Sequence, residues 1–151
     1  MNENLKSLVD MLPPPIKPVG SYVFVRRSGD LVFTSGIIPL VDGRLHAAGK
    51  LGKEVGVETG KECAKICALN ALSLVREFLG EDFFRLESVI SLRAIVASTP
   101  DFTEHAQVAN GASDFLVSVF GENGRHVRAA FGAPSLPLDA PVEIEFVFRI
   151  G

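Results

Sequence analysis

The residues best suited to chemistry lie in the last quarter of the chain. Arg128 sits in an extended stretch, Arg125 to Phe131, and Glu143 is the second residue of the next one, Val142 to Ile150, fifteen positions further on. A guanidinium is always charged, and its fork of donors fits a carboxylate bidentately. An arginine on a partly buried surface is therefore a ready anchor for a small organic acid. A glutamate beside it can be its ion-pair partner, or can handle a proton or a water in the same pocket. From the pattern alone, a structural Arg128–Glu143 pair at an interface and an anchor with its proton carrier both stand. If Val127 and Phe131 meet the core, strand alternation places His126, Arg128 and Ala130 on the opposite face, the side that Glu143 shares.

The other reactive side chains are scattered. His46, His105 and His126 have no metal-ligand spacing and read as solvent or helix-end positions, with His126 set apart because it shares a face with Arg128. Cys63 and Cys67, spaced i,i+4, read as small buried apolar residues. A structural zinc wants about four ligands, and no second pair stands near them. Nothing suggests a disulfide framework. A Ser–His–Asp nucleophile lacks the strained G-x-S-x-G turn that would expose its serine. No metal or organic cofactor is called for.

The elements that must hold these residues follow from periodicity. Leu5, Leu8, Val9 and Leu12 have helical spacing, broken by Pro13, Pro14 and Pro15. Tyr22 to Arg26 and Asp30 to Ser35 read as strands joined at Ser28-Gly29, and Asp42-Gly43 turns into a short strand near Arg44 to His46. Thr59-Gly60-Lys61-Glu62 has the form of a capping box. Ala64, Cys67, Ala71, Leu74, Val75 and Phe78 then mark an amphipathic helix that ends at Gly80. Ser88 to Ala97 reads as a strand apolar on both faces, and Ala106 to Phe120 as a second amphipathic helix. In the final strand Val142, Ile144, Phe146, Phe148 and Ile150 alternate with Glu143, Glu145, Val147 and Arg149. The order is ββ(β)αβαββ, an α+β fold with two long helices on one face of one sheet. The second face keeps apolar residues with no helix left to cover them, so another subunit is the expected cover.

Composition sets the limits. The 151 residues fit one domain, read as an extension over 1–16 and a main domain over 17–151. With 47% hydrophobic residues, 22% charged residues and a net charge of −3, the chain has a real core and no basic stripe for nucleic acid. No apolar run reaches the roughly 18 to 20 residues that span a membrane, and the N-terminus lacks a signal-peptide pattern. The expected location is the cytoplasm, with neither membrane nor nucleic acid as partner.

Two stretches carry a resemblance. Gly20-Ser21-Tyr22 followed by Gly29-Asp30-Leu31-Val32-Phe33-Thr34-Ser35-Gly36 resembles the N-terminal signature of the RidA/YjgF family, G-x-Y and then G-(N/D)-L-(V/I)-F-x-S-G. Arg128, Leu136-Pro137 and Val142-Glu143-Ile144-Glu145 resemble its second signature in the same spacing. Asp101-Phe102 fits the opening of the second helix region, and the likeness runs from about residue 17 to 150. It is closest to a subgroup with a proline-rich N-terminal extension and an Asn-Gly-Ala-Ser-Asp stretch before a Val-Phe-Gly turn, here Asn110 to Asp114 and Val119 to Gly121.

The resemblance implies a chorismate-mutase-like α+β fold, a homotrimer, and a ligand cavity at each subunit interface. It implies hydrolysis of reactive 2-imino and enamino acids, such as 2-aminoacrylate, to 2-keto acids and ammonia, without a cofactor. Arg128 would clamp the substrate carboxylate and Glu143 would stand near the attacking water. Tyr22, Ser35 and Gly36 would line the cavity, Ala130 would act through its main chain, and Asn110 would match a cavity asparagine. From the residues alone, Tyr22 is also readable as an amphipathic strand-start residue and Ser35 as turn chemistry. The chain departs from the family at Ile37, where glutamine is frequent, at Ala130, where cysteine is frequent, and by a short insertion between Asp101 and Phe120. Two other functions share some of these features. One is a non-catalytic trimer that binds a small carboxylate as a sensor or chaperone, using the same arginine. The other is a ribonuclease, which would need a basic groove.

Overall fold

The computed structural model describes residues 2–18 and 20–151; Met1 of the leading segment and Val19 after the prolines lie outside the described residues. The elements run α1 (Glu3–Val9), β1 (Val25–Ser28), β2 (Leu31–Thr34), β3 (Leu40–Val41), β4 (Arg44–Leu45), α2 (Val57–Leu79), β5 (Leu86–Ala97), α3 (His105–Phe120), β6 (Val127–Ala133) and β7 (Val142–Ile150). Strands β1, β2, β7, β5 and β6 form one mixed sheet in that order, and β3–β4 is a separate small hairpin. Neighbours are antiparallel except β5 and β6, which are parallel. Parallel strands need a crossover, and α3 supplies it by running back over the sheet between them.

The core lies between the sheet and the helices α2 and α3. The inward set of β7, Val142, Ile144, Phe146, Phe148 and Ile150, is buried as its alternation predicts. It meets Cys67, Ala71, Leu74, Ala112 and Leu116 within one continuous cluster. Cys63 and Cys67 are wholly buried in it, and burial pushes the Cys63 thiol up to about 11 and that of Cys67 well above its usual value. Neither thiol is a nucleophile at neutral pH. The two helices cross so closely that a Cβ on Gly111 would lie 2.0 Å from the Lys61 carbonyl oxygen. That glycine sets how deep α3 sits, and with it the height of Asn110 and Ser113 above the sheet.

Several boundaries shift from the sequence reading. Helix α2 begins at Val57 with Gly56 as its cap and no side-chain capping bond, so Thr59 to Glu62 lie inside its first turns rather than forming a capping box. Tyr22 precedes β1 instead of opening it, and β6 starts at Val127 and runs on to Ala133. The outer side of β5 is less uniformly apolar than expected: Arg93 is exposed there, and the strand is irregular between Leu86 and Ser91.

The leading segment joins the same core. Leu5 and Leu8 are 0% and 3% exposed, and the Asn4 amide donates to the Val119 carbonyl at 3.0 Å. Burying a leucine contributes about 1.5–3 kcal/mol, so two of them hold a seven-residue helix that would not persist alone. Beyond it Ser73 donates to the Pro13 carbonyl, tying the proline run to α2.

The sheet face away from the helices is bare in a single chain. Phe33, Phe131 and Val127 are 40%, 39% and 70% exposed there. They are interleaved with an Arg93–Glu145 pair at 3.5 Å and an Arg149–Asp30 pair at 3.1 Å. Arg93 lies over the Phe131 ring, 5.8 Å from its centroid.

Candidate active site

The position of Arg128 follows from register. Its Cα partner in β5 is Leu92, which is wholly buried and faces the helices, and Leu92 is paired in turn with the buried Phe146. Arg128 therefore points to the helix side. There Nη1 donates to Asn110 Oδ1 at 2.7 Å and to Ser113 Oγ at 3.1 Å, while Nη2 donates to the Ala106 carbonyl at 3.4 Å. These bonds occupy the helix side of the guanidinium and leave donors for a carboxylate. Asn110 and Ser113, three residues apart on α3, present their polar ends to β6 together. Ala130 follows two positions on, half-buried on the same side and paired with the buried Ala94.

Glu143 lies on the other face. It pairs with Ile95, which pairs in turn with Phe131, and both its neighbours along the strand, Val142 and Ile144, are buried toward the helices. Its carboxylate folds over Gly36, where a Cβ would come within 2.4 Å of Oε1, so only glycine leaves it room. The ion pairs of that face join Arg93 to Glu145 and Arg149 to both Asp30 and Glu87, and among the described residues Glu143 is in none of them. Partial burial raises its pKa above the usual carboxylate value, and the charge of Glu145 raises it further.

Ser35 and Tyr22 belong to this second group. Ser35 donates its hydroxyl to the Val23 carbonyl at 2.7 Å and its N–H to the Phe24 carbonyl at 2.8 Å. It thus pins the segment that carries Tyr22 against β2. Tyr22 is 51% exposed, its ring edge-on to Phe24 at 5.7 Å. The structure thus gathers the seven predicted site residues into two groups. Arg128, Asn110 and Ala130 line the α3–β6 edge; Glu143, Gly36, Ser35 and Tyr22 sit around β2 and β7. The expectation that Arg128 and Glu143 share a side is wrong for one chain. Edge strand β6 takes its facing from its pairing with β5, and the alternation of Leu92, Ala94 and Val96 outweighs the apolar character of Val127 and Phe131. An intrachain Arg128–Glu143 pair is likewise absent among the described residues.

Two further residues complete the arginine's surroundings. Ser113 was inside a stretch of interest without a role of its own, and His126 lies with its Nε2 2.9 Å from Ser113 Oγ. The i,i+3 spacing of Asn110 and Ser113 on the polar side of α3 was the available signal. At the other end of β6 a cleft of about 640 Å³ is lined by Lys50, Lys53, Ser98, Phe102, His105 and Gly132, with Ser98 Oγ 3.2 Å from His105 Nε2. Among the described residues no group of three or more His, Cys, Asp or Glu side chains is placed to hold a metal ion. No described helix is long and apolar enough to cross a membrane.

The comparison with protein families matches residues 8–149 to the family described as "YjgF/chorismate_mutase-like, putative endoribonuclease". The chain belongs to the RidA/YjgF family. A curated relative, protein TCP17 of Trypanosoma cruzi, is 41% identical over 97% of this chain and 92% of its own. Among solved structures, protein Atu1372 of Agrobacterium tumefaciens, of unknown function, is 39% identical with a TM-score of 0.89, covering 99% of this chain and 92% of its own. E. coli TdcF, solved with bound serine, shares the fold at 22% identity and a TM-score of 0.64, covering 91% of this chain and 93% of its own. The mixed sheet with two long helices on one face is thus the RidA/YjgF fold.

Chemically the arrangement has two halves. The arginine edge can hold an anion by charge-assisted hydrogen bonds. The glutamate side carries a carboxylate whose raised pKa brings it nearer the range useful for proton transfer at neutral pH.

Proposed function

We propose that this protein hydrolyses reactive 2-imino and enamino acids of the 2-aminoacrylate kind to 2-keto acids and ammonia, in cavities formed between the subunits of a cytoplasmic homotrimer. The observation that carries the reading is the Arg128 guanidinium, held from behind by Asn110, Ser113 and the Ala106 carbonyl. Its two-group arrangement fits an assembly. Arg128 and Glu143 lie on opposite sides of one sheet, so a second copy must bring its glutamate group to the first copy's arginine edge. The bare face with Phe33, Phe131 and Val127 is suited to such a contact.

The chemistry asks little of the protein. An enamine tautomerises to the imine, and the protonated imine carbon is already electrophilic. Arg128 holds the carboxylate, and Glu143, ionised, takes a proton from a water as its oxygen bonds to C2. Glu143 gives that proton to the nitrogen of the tetrahedral adduct, and the C–N bond then breaks as the adduct's hydroxyl returns a proton to Glu143, releasing ammonia and leaving the keto acid. Tyr22, Ser35 and Gly36 line the glutamate side, and Asn110 and the Ala130 main chain the arginine side. No cofactor enters the scheme.

The test generates imino acids in place from several L-amino acids with an amino-acid oxidase and traps surviving imine with semicarbazide. Wild type is expected to suppress trapping, and Arg128→Ala is expected not to. If a folded, trimeric wild type leaves trapping unchanged, the hydrolase reading fails for those substrates. A second reading, a carboxylate-binding trimer without turnover, is favoured by the same anchor and by a relative solved with bound serine. Saturable binding of a 2-keto acid without turnover would select it.

A further inference from the structure

We propose that Ser113 and His126 form a positioning relay behind Arg128 that couples its grip on a substrate carboxylate to the uptake of one proton. The relay rests on the reading of Arg128 as the carboxylate anchor. Its geometry is a chain of hydrogen bonds with one direction. His126 Nδ1 lies 2.6 Å from the Gly124 carbonyl, which can only accept, so Nδ1 carries the proton of the neutral ring. Nε2 is then a lone pair, and the Ser113 hydroxyl, 2.9 Å away, donates to it. That turns the serine's own lone pairs outward, and one of them receives Arg128 Nη1 at 3.1 Å. The order is guanidinium to serine to imidazole to backbone carbonyl.

A second proton on the ring reverses the middle of this chain. Nε2–H becomes a donor, and Ser113 Oγ must accept from His126 and Arg128 together. Two positive charges then stand one hydroxyl apart. Without an anion they repel; a carboxylate on Arg128 relieves the repulsion and favours the charged ring. By linkage, binding of a carboxylate takes up a proton, and affinity rises as pH falls through the ring's pKa. The charged groups on the elements packed around the ring are Arg128 on β6, Asp114 on α3, and Glu122 and Arg125 in the turn before β6. Arg125 and Glu122 are engaged with each other at 3.1 Å. Burial holds the empty-site pKa below the usual histidine value; the Gly124 carbonyl opposes this and Arg128 adds to it. The ring is thus neutral in the empty site at neutral pH, which the relay requires.

The experiment uses the intact trimer and pyruvate as the probe. Its dissociation constant is measured by calorimetry between pH 8 and pH 5.5 for wild type, His126→Gln, Ser113→Ala and Glu143→Gln, and the His126 ring nitrogens are followed by NMR. Wild type is expected to tighten by about fivefold to tenfold across this range. Glu143→Gln, which removes the glutamate's own titration from the cavity, is expected to keep the part of that slope that belongs to His126. His126→Gln is expected to bind within about threefold of wild type at pH 8 and to lose the slope. Ser113→Ala, which breaks the chain without touching the ring, is expected to weaken binding at all pH values and flatten the slope as well. The ring is expected as the Nδ1–H tautomer, its pKa rising when pyruvate binds. An unchanged slope in folded His126→Gln and Ser113→Ala, or an Nε2–H tautomer, overturns the relay and leaves the anchor standing. Absence of pyruvate binding to wild type at every pH overturns the anchor, and the relay with it.

Discussion

The two regions of the sheet that carry the candidate site residues are built in opposite ways. At the α3–β6 edge, Arg128 is fixed within its own chain by three hydrogen bonds to one helix. Around β2 and β7, Glu143 rests over Gly36, partly desolvated and next to a second carboxylate. The first is preorganised: its acceptors are in place before any ligand arrives, so little ordering remains to oppose binding. The second is held by sterics and has its charge unmatched, a state that suits a group that must exchange a proton. The difference teaches that one chain fixes the arginine by itself, whereas on the proposed reading its glutamate acts only opposite another copy's arginine.

The sharpest way to break this contrast is to remove the anchor. Arg128→Ala is expected to lower kcat/KM for imine hydrolysis by about 100-fold or more, since a charge-assisted bidentate contact is worth about 3 kcal/mol. Arg128→Lys should recover little of it, because an ammonium lacks the fork. Next in size, Glu143→Gln is expected to lower kcat by about 30-fold with KM nearly unchanged, less than the roughly 100-fold or more of full general-base catalysis because the amide still hydrogen-bonds the water. The pH profile carries the sign. Wild-type activity should fall as pH drops through the raised pKa of Glu143, because protonation removes the base, and this acid limb should vanish in the variant. The same shift bears on stability: a carboxyl whose folded pKa is raised is penalised while ionised, and the penalty is relieved as pH falls through that pKa. Glu143→Gln should accordingly melt slightly higher than wild type at pH 7.5 but not at pH 4.

A third measurement asks whether the two halves come from different copies. Trimers of Arg128→Ala and of Glu143→Gln are unfolded, mixed and refolded together. A site built from the arginine of one subunit and the glutamate of its neighbour is restored once in each mixed trimer, giving about a quarter of wild-type activity overall. Recovery no greater than the two parents' average would place both residues in one subunit's site. The smallest expected effect is that of Gly36→Ala. Its Cβ must displace a carboxylate oxygen that would lie 2.4 Å away, and Glu143 can swing aside. Activity should drop by about threefold to tenfold with the acid limb moved, while carboxylate binding at Arg128 is unchanged.

Much of the frame was legible in the sequence. Val142 to Ile150 alternates so regularly that its inward and outward sets can be named without a structure. Cys63, Cys67, Ala71 and Leu74 mark the buried side of α2 through simple helical spacing. Other features were not readable, and for identifiable reasons. Thr59 to Glu62 mimic a helix start because a capping box is a local pattern, whereas α2 begins earlier, at Gly56, where no side chain signals it. In β6, Val127 and Phe131 mimic an inward pair, since apolar residues on an interface face look the same as those in a core. Tyr22 and Ser35 were named together, but that Ser35 holds the Tyr22 segment through the Val23 carbonyl needed coordinates.

The sequence by itself determined most of the core, the order of the main-sheet strands and the helices, and the identities of Arg128 and Glu143, because periodicity and motif spacing are properties of neighbours along the chain; the two-residue β3 was too short to leave such a pattern. Only the tertiary structure decided which face each residue occupies and what stands behind it. Register is set between strands: pairing Leu92 with Arg128, and placing α3 as the crossover between β5 and β6, fixes the arginine beneath Asn110 and Ser113. A shift of one residue in that pairing would turn Arg128 to the open side with Glu143.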